Sequence, residues 1–366
     1  MKITFLCPMP LYNPVGGLKV VIEYANRLAQ RGHCVTLVAA TGNVPYDRQA
    51  TSQHKIKRAL LFLLRSLGYK GGYKPDQWIR LAQSVRLLWR PSLDVRWIPD
   101  ADVVIATAWE SAEWAAAYPD SKGRKFYLIQ NDESAFTSDP VLSQRAQATW
   151  KLPLKKLVTG KWLQTFLASR GESACWVSQG VDYQDGYFSL MHPIDRRSPT
   201  TVIMMYHTMP WKGSADGLAA LNIVKQTVDT LTVRLFGTPN APPNLPAWIE
   251  YVQNPPQRQL CELYNASAIF VSPSWVEGMA LPPAEAMQCG AAVCLTQIGG
   301  HTDYGIHQQT ALLSPPRKPE ALAANILQLI ENPQLRIQLA MNGHQYIQRF
   351  TWESAVKKFE QCITAD

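Results

Sequence analysis

Ser272-Pro273-Ser274-Trp275-Val276-Glu277-Gly278-Met279-Ala280-Leu281-Pro282-Pro283-Ala284-Glu285-Ala286-Met287 follows the apolar run Ala268 to Val271 and passes into a helical pattern. The run reads as a buried strand. Pro283 suits the first turn of the helix, where a missing N–H leaves no bond unmade. The loop from Glu277 to Pro282 thus lies between a strand's end and a helix's start, where free backbone N–H groups and the helix dipole favour an anion. A ligand carrying phosphates fits such a loop.

The alternation extends in both directions. Behind this stretch, strands are expected at Val202 to Met205 and Val233 to Phe236, and beyond it at Ala292 to Leu295. In the first half they are expected at Ile3 to Cys7, Val35 to Ala39, Val103 to Ala106, Phe126 to Ile129 and Cys175 to Val177. Leu18, Val21, Ile22, Ala25, Leu28 and Ala29 share one helical face, and Gly32 stands where that helix would stop. Strands and helices in strict alternation predict parallel α/β layers with helices on both sheet faces. The irregular stretch Gln184 to Pro199 reads as a linker, giving domains over 1–190 and 200–350. Trp352, Val356, Phe359 and Ile363 lie at helical spacing in the final segment, 351–366.

At 366 residues the chain is long enough for two cores, and with 46% apolar residues no stretch is depleted enough to be disordered by composition. Seven cysteines without a C-x-x-C pair read as reduced thiols of a cytoplasmic protein. The first strand is too short and too early broken by Pro8 to act as a signal peptide, and no apolar run spans a bilayer. The net charge of +8 is concentrated: from Lys55 to Arg96 there are ten Lys/Arg against Asp76 and Asp94. Within it, Lys55, Lys57 and Arg58 precede Ala59-Leu60-Leu61-Phe62-Leu63-Leu64-Arg65. Such a segment suits an anionic membrane surface and suits a packed helix with solvated basic ends equally well. It carries no base-reading motif, so nucleic acid is not expected as a partner.

Several residues are candidates for chemistry. Glu277 and Glu285, eight apart, read either as ligand-binding groups or as loop and helix-start carboxylates favoured by the dipole. An acid and nucleophile pair of a glycoside hydrolase would need both to flank one bond, which spacing does not establish. Lys212 reads as a fixed cation or as a solvated loop lysine. Gly16-Gly17, after strand one, allows close backbone approach at a helix start, but is too short for a dinucleotide fingerprint, so a dehydrogenase is not expected. Gln130-Asn131-Asp132-Glu133 ends another strand, where ligands commonly bind in open sheets; Asp132 or Glu133 would orient a hydroxyl or cap the next helix. No His/Cys/Asp cluster has metal-ligand spacing, and no metal or other cofactor is expected.

The stretch from Ser272 to Met287, with Cys289-Gly290 and Gly299-Gly300, resembles the E-x7-E region of the family 4 retaining glycosyltransferases. Gly16-Gly17, Gly180-Val181-Asp182, Lys212-Gly213 and Phe350-Thr351-Trp352 follow that family's order over nearly the whole chain. The resemblance implies the GT-B fold, two Rossmann-like domains facing each other across a cleft. The second domain would hold the donor nucleotide, the first would take the acceptor, and the C-terminal helix would pack back on the first. It implies transfer of a hexose from a nucleoside-diphosphate sugar to a glycan or lipid-linked acceptor. Glu285 would bind the ribose, Glu277 the transferred sugar, and Lys212 the diphosphate, with Gly16, Gly17 and the backbone of Gly278, Met279, Ala280 and Leu281 facing the donor.

This chain departs from the family at three places. His207 stands where an arginine usually meets the diphosphate, so either it is protonated there or another base supplies the charge. The family's histidine after the Val103 to Ala106 strand is absent, and the chain reads Thr107-Ala108-Trp109-Glu110. There Glu110 would substitute for it and Trp109 stack on a sugar, or both serve the loop and helix cap. Met279-Ala280 replaces the usual aromatic and glycine. The departures motivate a second reading, a non-catalytic sugar-nucleotide-binding partner subunit; a third is an epimerase of the same fold, which would alter the sugar without an acceptor.

Overall fold

The computed structural model describes residues 1–11, 15–41, 52–68, 78–181 and 188–365, without the side chains of 52–55 and 58. Asp182, Lys70, Lys74, Asp76, the start of the Gln184 to Pro199 linker, and the side chains of Lys55 and Arg58 lie outside the described residues. The chain forms two compact units, residues 1–178 with 356–366, and residues 179–355.

The first unit is built on β1 (Lys2–Cys7), β2 (Cys34–Ala40), β3 (Arg86–Arg90), β4 (Val103–Ala106), β5 (Arg124–Ile129), β6 (Lys155–Val158) and β7 (Ala174–Trp176). These seven strands are parallel, in the order β3-β2-β1-β4-β5-β6-β7. Ile3, Phe5, Leu6 and Cys7 of β1 are fully buried. A central strand covered on both faces needs such a continuous apolar run rather than an alternating one. The helix Gly16–Gln30 buries Leu18, Val21, Ile22, Ala25 and Leu28, and Gly32 beyond its end has φ of 88°.

The final helix, Trp352–Thr364, buries Trp352, Val356, Phe359 and Ile363. Within the first unit the Phe359 ring lies 4.5 Å from Tyr24 and 6.1 Å from Phe5, centroid to centroid. One expectation is corrected here: the cysteines are not all reduced, because Cys175 of β7 and Cys362 of this helix form a disulfide. Seven cysteines admit many pairings, and none is readable from their spacing. The cysteine count therefore no longer argues for a reducing compartment. Cleaving this bond frees a loop of 187 residues in the unfolded chain. Reduction is expected to lower stability by about 2–4 kcal/mol. The measure is the urea midpoint with and without dithiothreitol, and equal midpoints would mean that the apolar face alone holds the helix.

The second unit is built on β8 (Thr201–Met205), β9 (Thr232–Gly237), β10 (Ile249–Gln253), β11 (Ile269–Ser272), β12 (Ala292–Thr296) and β13 (Leu312–Ser314). They form a parallel six-stranded sheet, ordered β10-β9-β8-β11-β12-β13. Side-chain alternation divides its interior into two cores: Val202, Met204, Ile269 and Val271 enter one, Ile203 and Phe270 the other.

Candidate active site

β8 and β11 are neighbours, with Val202 opposite Ile269, Ile203 opposite Phe270 and Met204 opposite Val271. The chain leaves β8 towards β9 on one side, while β11 lies on the other, so the strand order reverses here. Open parallel sheets bind ligands at such a point, beyond the strand C-termini. Two loops meet there: residues 206–213 lead into the helix Ser214–Thr227, and residues 273–280 lead into the helix Leu281–Gln288. Gly213 joins them. Its φ is 62°, and an added Cβ would stand 2.1 Å from the Pro273 carbonyl oxygen, so a side chain would force the loops apart. The Trp275 N–H donates to the Trp211 carbonyl (2.7 Å) across the same seam.

The closure brings Lys212 and Glu277 together. Lys212 Nζ donates to Glu277 Oε1 at 2.7 Å and to Oε2 at 3.0 Å, and Ser274 Oγ donates to Oε1 at 2.8 Å. Both charged side chains are largely buried, 23% and 11% exposed. They border a small cavity lined also by Met205, Ser272, Ser274 and Pro283. An anion entering it competes with Glu277 for the ammonium and leaves the carboxylate to accept from ligand hydroxyls.

His207 stands at the start of the first loop. Its Nδ1 accepts from the Met209 N–H (3.0 Å), so the ring proton sits on Nε2. Burial, and then the charge of Lys212, lower its pKa below the usual 6.5, so the ring is neutral at neutral pH and offers one N–H. Glu285 is 5% exposed and accepts from Tyr264 Oη at 3.4 Å. The Ala280 N–H is turned inward to the Gly300 carbonyl (3.4 Å), and Tyr304 Oη donates to the Ala280 carbonyl (2.9 Å). Gly278 and Met279 are buried in the same loop, and Leu281 opens the helix.

Two supports of the Glu277 loop escape sequence reasoning. Gly300, quoted only as part of a motif, lies so close that an added Cβ would stand 2.4 Å from the Glu277 carbonyl oxygen. His301 beside it is fully buried: Nδ1–H donates to the Thr296 carbonyl (2.8 Å) and Nε2 accepts from Ser272 Oγ (3.0 Å). Thr296 Oγ1 in turn donates to the Ser274 carbonyl (2.5 Å). His301 stands five residues past the end of β12, and no local signal in the sequence marks it.

Burial lowers the His301 pKa from 6.5 to about 4. Between those values the unfolded chain binds a proton that the folded one does not, so stability falls as pH drops through that window and the loss is complete below about 4. The native chain is expected to lose about 3 kcal/mol more than His301→Gln on going from neutral to that acid limit. Denaturant midpoints across the range measure it; parallel curves for the two proteins would contradict it.

In the first unit the strand order reverses between β1 and β4. Trp109 and Glu110 open the helix Trp109–Ala116 after β4. Asp132 is engaged as a cap, its Oδ1 accepting from the Ser134 N–H (3.1 Å) and Oγ (2.5 Å). Glu133 accepts from Tyr127 Oη and from the Trp109 N–H, and burial pushes its pKa up to about 8. Burial also raises that of Glu110. The Arg145 guanidinium lies 5.2 Å from the Trp109 ring centre and is held by Glu113 (2.6 Å). Gly17 stands against the Gln130 amide, 3.5 Å from where a Cβ would be, whereas a Cβ at Gly16 would meet nothing within 4 Å. Trp109 and Glu133 are thus joined, and Gly17 meets the stretch that carries Glu133.

Residues 200–332 match the model of the family described as glycosyl transferases group 1. The O-antigen biosynthesis protein RfbC of Myxococcus xanthus is 26% identical over 285 residues, 75% of this chain and 22% of that protein. The O-antigen chain mannosyltransferase B of Escherichia coli is 32% identical over 107 residues, 29% of this chain and 28% of that protein. The matched stretches thus span between 22% and 28% of these relatives' length. Among solved structures, Anabaena HepE in complex with UDP and glucose superposes with a TM-score of 0.72 at 17% identity, over 100% of this chain and 99% of that one. Sucrose-phosphate synthase from Thermosynechococcus elongatus gives 0.69 at 15% identity, over 98% and 97%. The chain has the GT-B fold that the sequence led us to expect, with two parallel-sheet, Rossmann-like units.

Proposed function

We propose that this protein is a retaining glycosyltransferase that moves a hexose from a nucleoside-diphosphate sugar to a glycan or lipid-linked acceptor. The observation that carries the proposal is the Lys212 and Glu277 pair held at the switch point of the second unit. That is a cation beside a carboxylate in the loop that leads into a helix, within the stretch that matches the group 1 glycosyl transferases. HepE, of the same fold, is solved with UDP-glucose.

In this mechanism the second unit holds the donor. Lys212 Nζ turns from Glu277 to the diphosphate, and His207 Nε2–H adds one hydrogen bond in place of an arginine fork. Glu277 accepts from hydroxyls of the sugar, and Glu285 accepts from the ribose. The bond from the anomeric carbon to the diphosphate oxygen breaks, and the electron pair leaves with the diphosphate, which Lys212 stabilises. The acceptor oxygen attacks the same face of the sugar, and its proton passes to the departing phosphate oxygen. The first unit takes the acceptor, with Glu110 and Glu133 orienting its hydroxyl and Trp109 its ring.

The test is incubation of the purified chain with labelled donors and pools of glycan and lipid acceptors, followed by the anomeric proton coupling of the product. Transfer with the donor's configuration kept is the expected result. An inverted product would overturn the mechanism. Donor binding without turnover until a second protein is added would support the non-catalytic alternative that His207 and the missing histidine motivate.

A further inference from the structure

Three sulfur atoms that the transfer reading leaves unused meet in the second unit. Cys261, in the helix Gln257–Asn265, and Cys289, which ends the helix Leu281–Gln288, hold their Sγ atoms 3.8 Å apart, and Met191 Sδ lies 3.7 Å from Cys261 Sγ. Both cysteines are free thiols and buried, whereas Met191 is 53% exposed, so the group reaches from the interior to the surface. Packing alone accounts for two thiols in contact. It does not account for Arg197, which is buried beside them. Its Nη2 donates to the carbonyls of Cys289 (2.5 Å) and His192 (3.1 Å) and to Asn265 Oδ1 (3.3 Å), and its Nη1 to the carbonyls of Ser267 (3.2 Å) and Tyr264 (3.4 Å). Every one of these acceptors is neutral, and Nε has no partner among the described residues. A buried guanidinium without an anion is costly, so the surroundings favour negative charge at this spot.

We infer that Cys261, Cys289 and Met191 bind one soft monovalent cation, Cu(I), as two thiolates and a thioether. Sulfur ligands of these two kinds select such an ion over hard cations. Three sulfurs around a metal at about 2.3 Å stand roughly 4 Å apart, so the spacings of 3.7 Å and 3.8 Å need open only slightly. Met191, unbranched and at the surface, gives the ion its way in. Binding replaces the two thiol protons: both leave to solvent, both sulfurs become thiolates, and the copper keeps its oxidation state. The complex carries one negative charge, which Arg197 meets. Asn265 Nδ2 donates to Cys261 Sγ (3.5 Å), a bond that strengthens when the sulfur is anionic. Zinc is the poorer fit, since it takes four ligands and no group of three His, Cys, Asp or Glu side chains able to hold a metal stands together among the described residues. The ion ties the helix that carries Tyr264 to the helix that carries Glu285.

The experiment is anaerobic titration of the full chain with Cu(I), in ascorbate and against the chelator bicinchoninate. Cys34, an exposed free thiol, is changed to serine in every sample. The chain is expected to take one Cu(I) from the chelator and to leave Zn(II) unbound in a parallel titration. Cys261→Ser is expected to weaken Cu(I) binding by more than about 100-fold, beyond the loss that follows when a hydrogen-bond partner of a ligand is removed. Met191→Leu is expected to weaken it about tenfold. Because Met191 is exposed, the circular dichroism of that variant stays native. Saturating Cu(I) is expected to raise the urea midpoint of the parent chain and to leave that of Cys261→Ser unmoved. Failure to take Cu(I) from the chelator, or unchanged affinity in either variant, overturns the inference. So does Zn(II) held as tightly as Cu(I), since a soft monovalent ion would then not be the occupant. No readout here involves a nucleotide sugar, so failure leaves the glycosyltransfer reading untouched.

Discussion

Lys212→Ala is expected to lower kcat by about 100- to 1,000-fold, the scale of removing one preorganised group that meets developing charge. The lysine is held at 2.7 Å and 3.0 Å from Glu277, at the switch point where the diphosphate is proposed to bind. The neutral His207 cannot replace the lost charge. The donor's KM is expected to change far less than kcat, because the leaving diphosphate gains charge only as its bond to the sugar breaks. Steady-state kinetics read both constants, and a variant with native kcat and a raised KM would make Lys212 a binding residue only. Lys212→Arg, which keeps the charge but changes its shape and reach, is expected to fall between the two.

Glu285→Ala is expected to act on the other constant. Its carboxylate is buried in the second turn of the helix Leu281–Gln288, supported by Tyr264 Oη. A carboxylate that accepts from ribose hydroxyls contributes about 1.5–3 kcal/mol, so donor affinity is expected to fall roughly 10- to 150-fold. Truncation also leaves the Tyr264 hydroxyl without this partner in a buried place, which adds a smaller cost in stability. Calorimetric titration with the donor separates the effects, and native affinity in a stable variant would remove Glu285 from the donor site. Glu285→Gln, which keeps one acceptor oxygen, is expected to recover part of the affinity.

The central strands were legible because they are buried on both faces and so read as uninterrupted apolar runs. β3, β6, β10 and β13 were not. Arg86 to Arg90 carries an arginine at each end, Lys155 and Lys156 begin β6, and β10 and β13 are edges too short or too exposed to show a pattern. The Glu277 to Glu285 stretch was legible as a strand, loop and helix start. Its partner loop was legible only by resemblance, since nothing local in Tyr206 to Gly213 says that β8 lies beside β11. The supports at Gly300 and His301 were not legible, because a close backbone approach and a buried ring paired with a serine are properties of tertiary packing. At Asp132 the sequence left two readings, a ligand group or a cap, and the carboxylate accepts from the Ser134 N–H as a cap does.

The most direct test of the account is saturation-transfer NMR of the purified full chain with UDP, GDP, dTDP and ADP sugars, repeated with Lys212→Ala and Glu285→Ala. The account predicts transfer to the ribose and sugar protons of at least one of these donors, with the ribose signal lost in Glu285→Ala and largely kept in Lys212→Ala. Absence of transfer to every one of the four, from a chain shown to be folded, would contradict it.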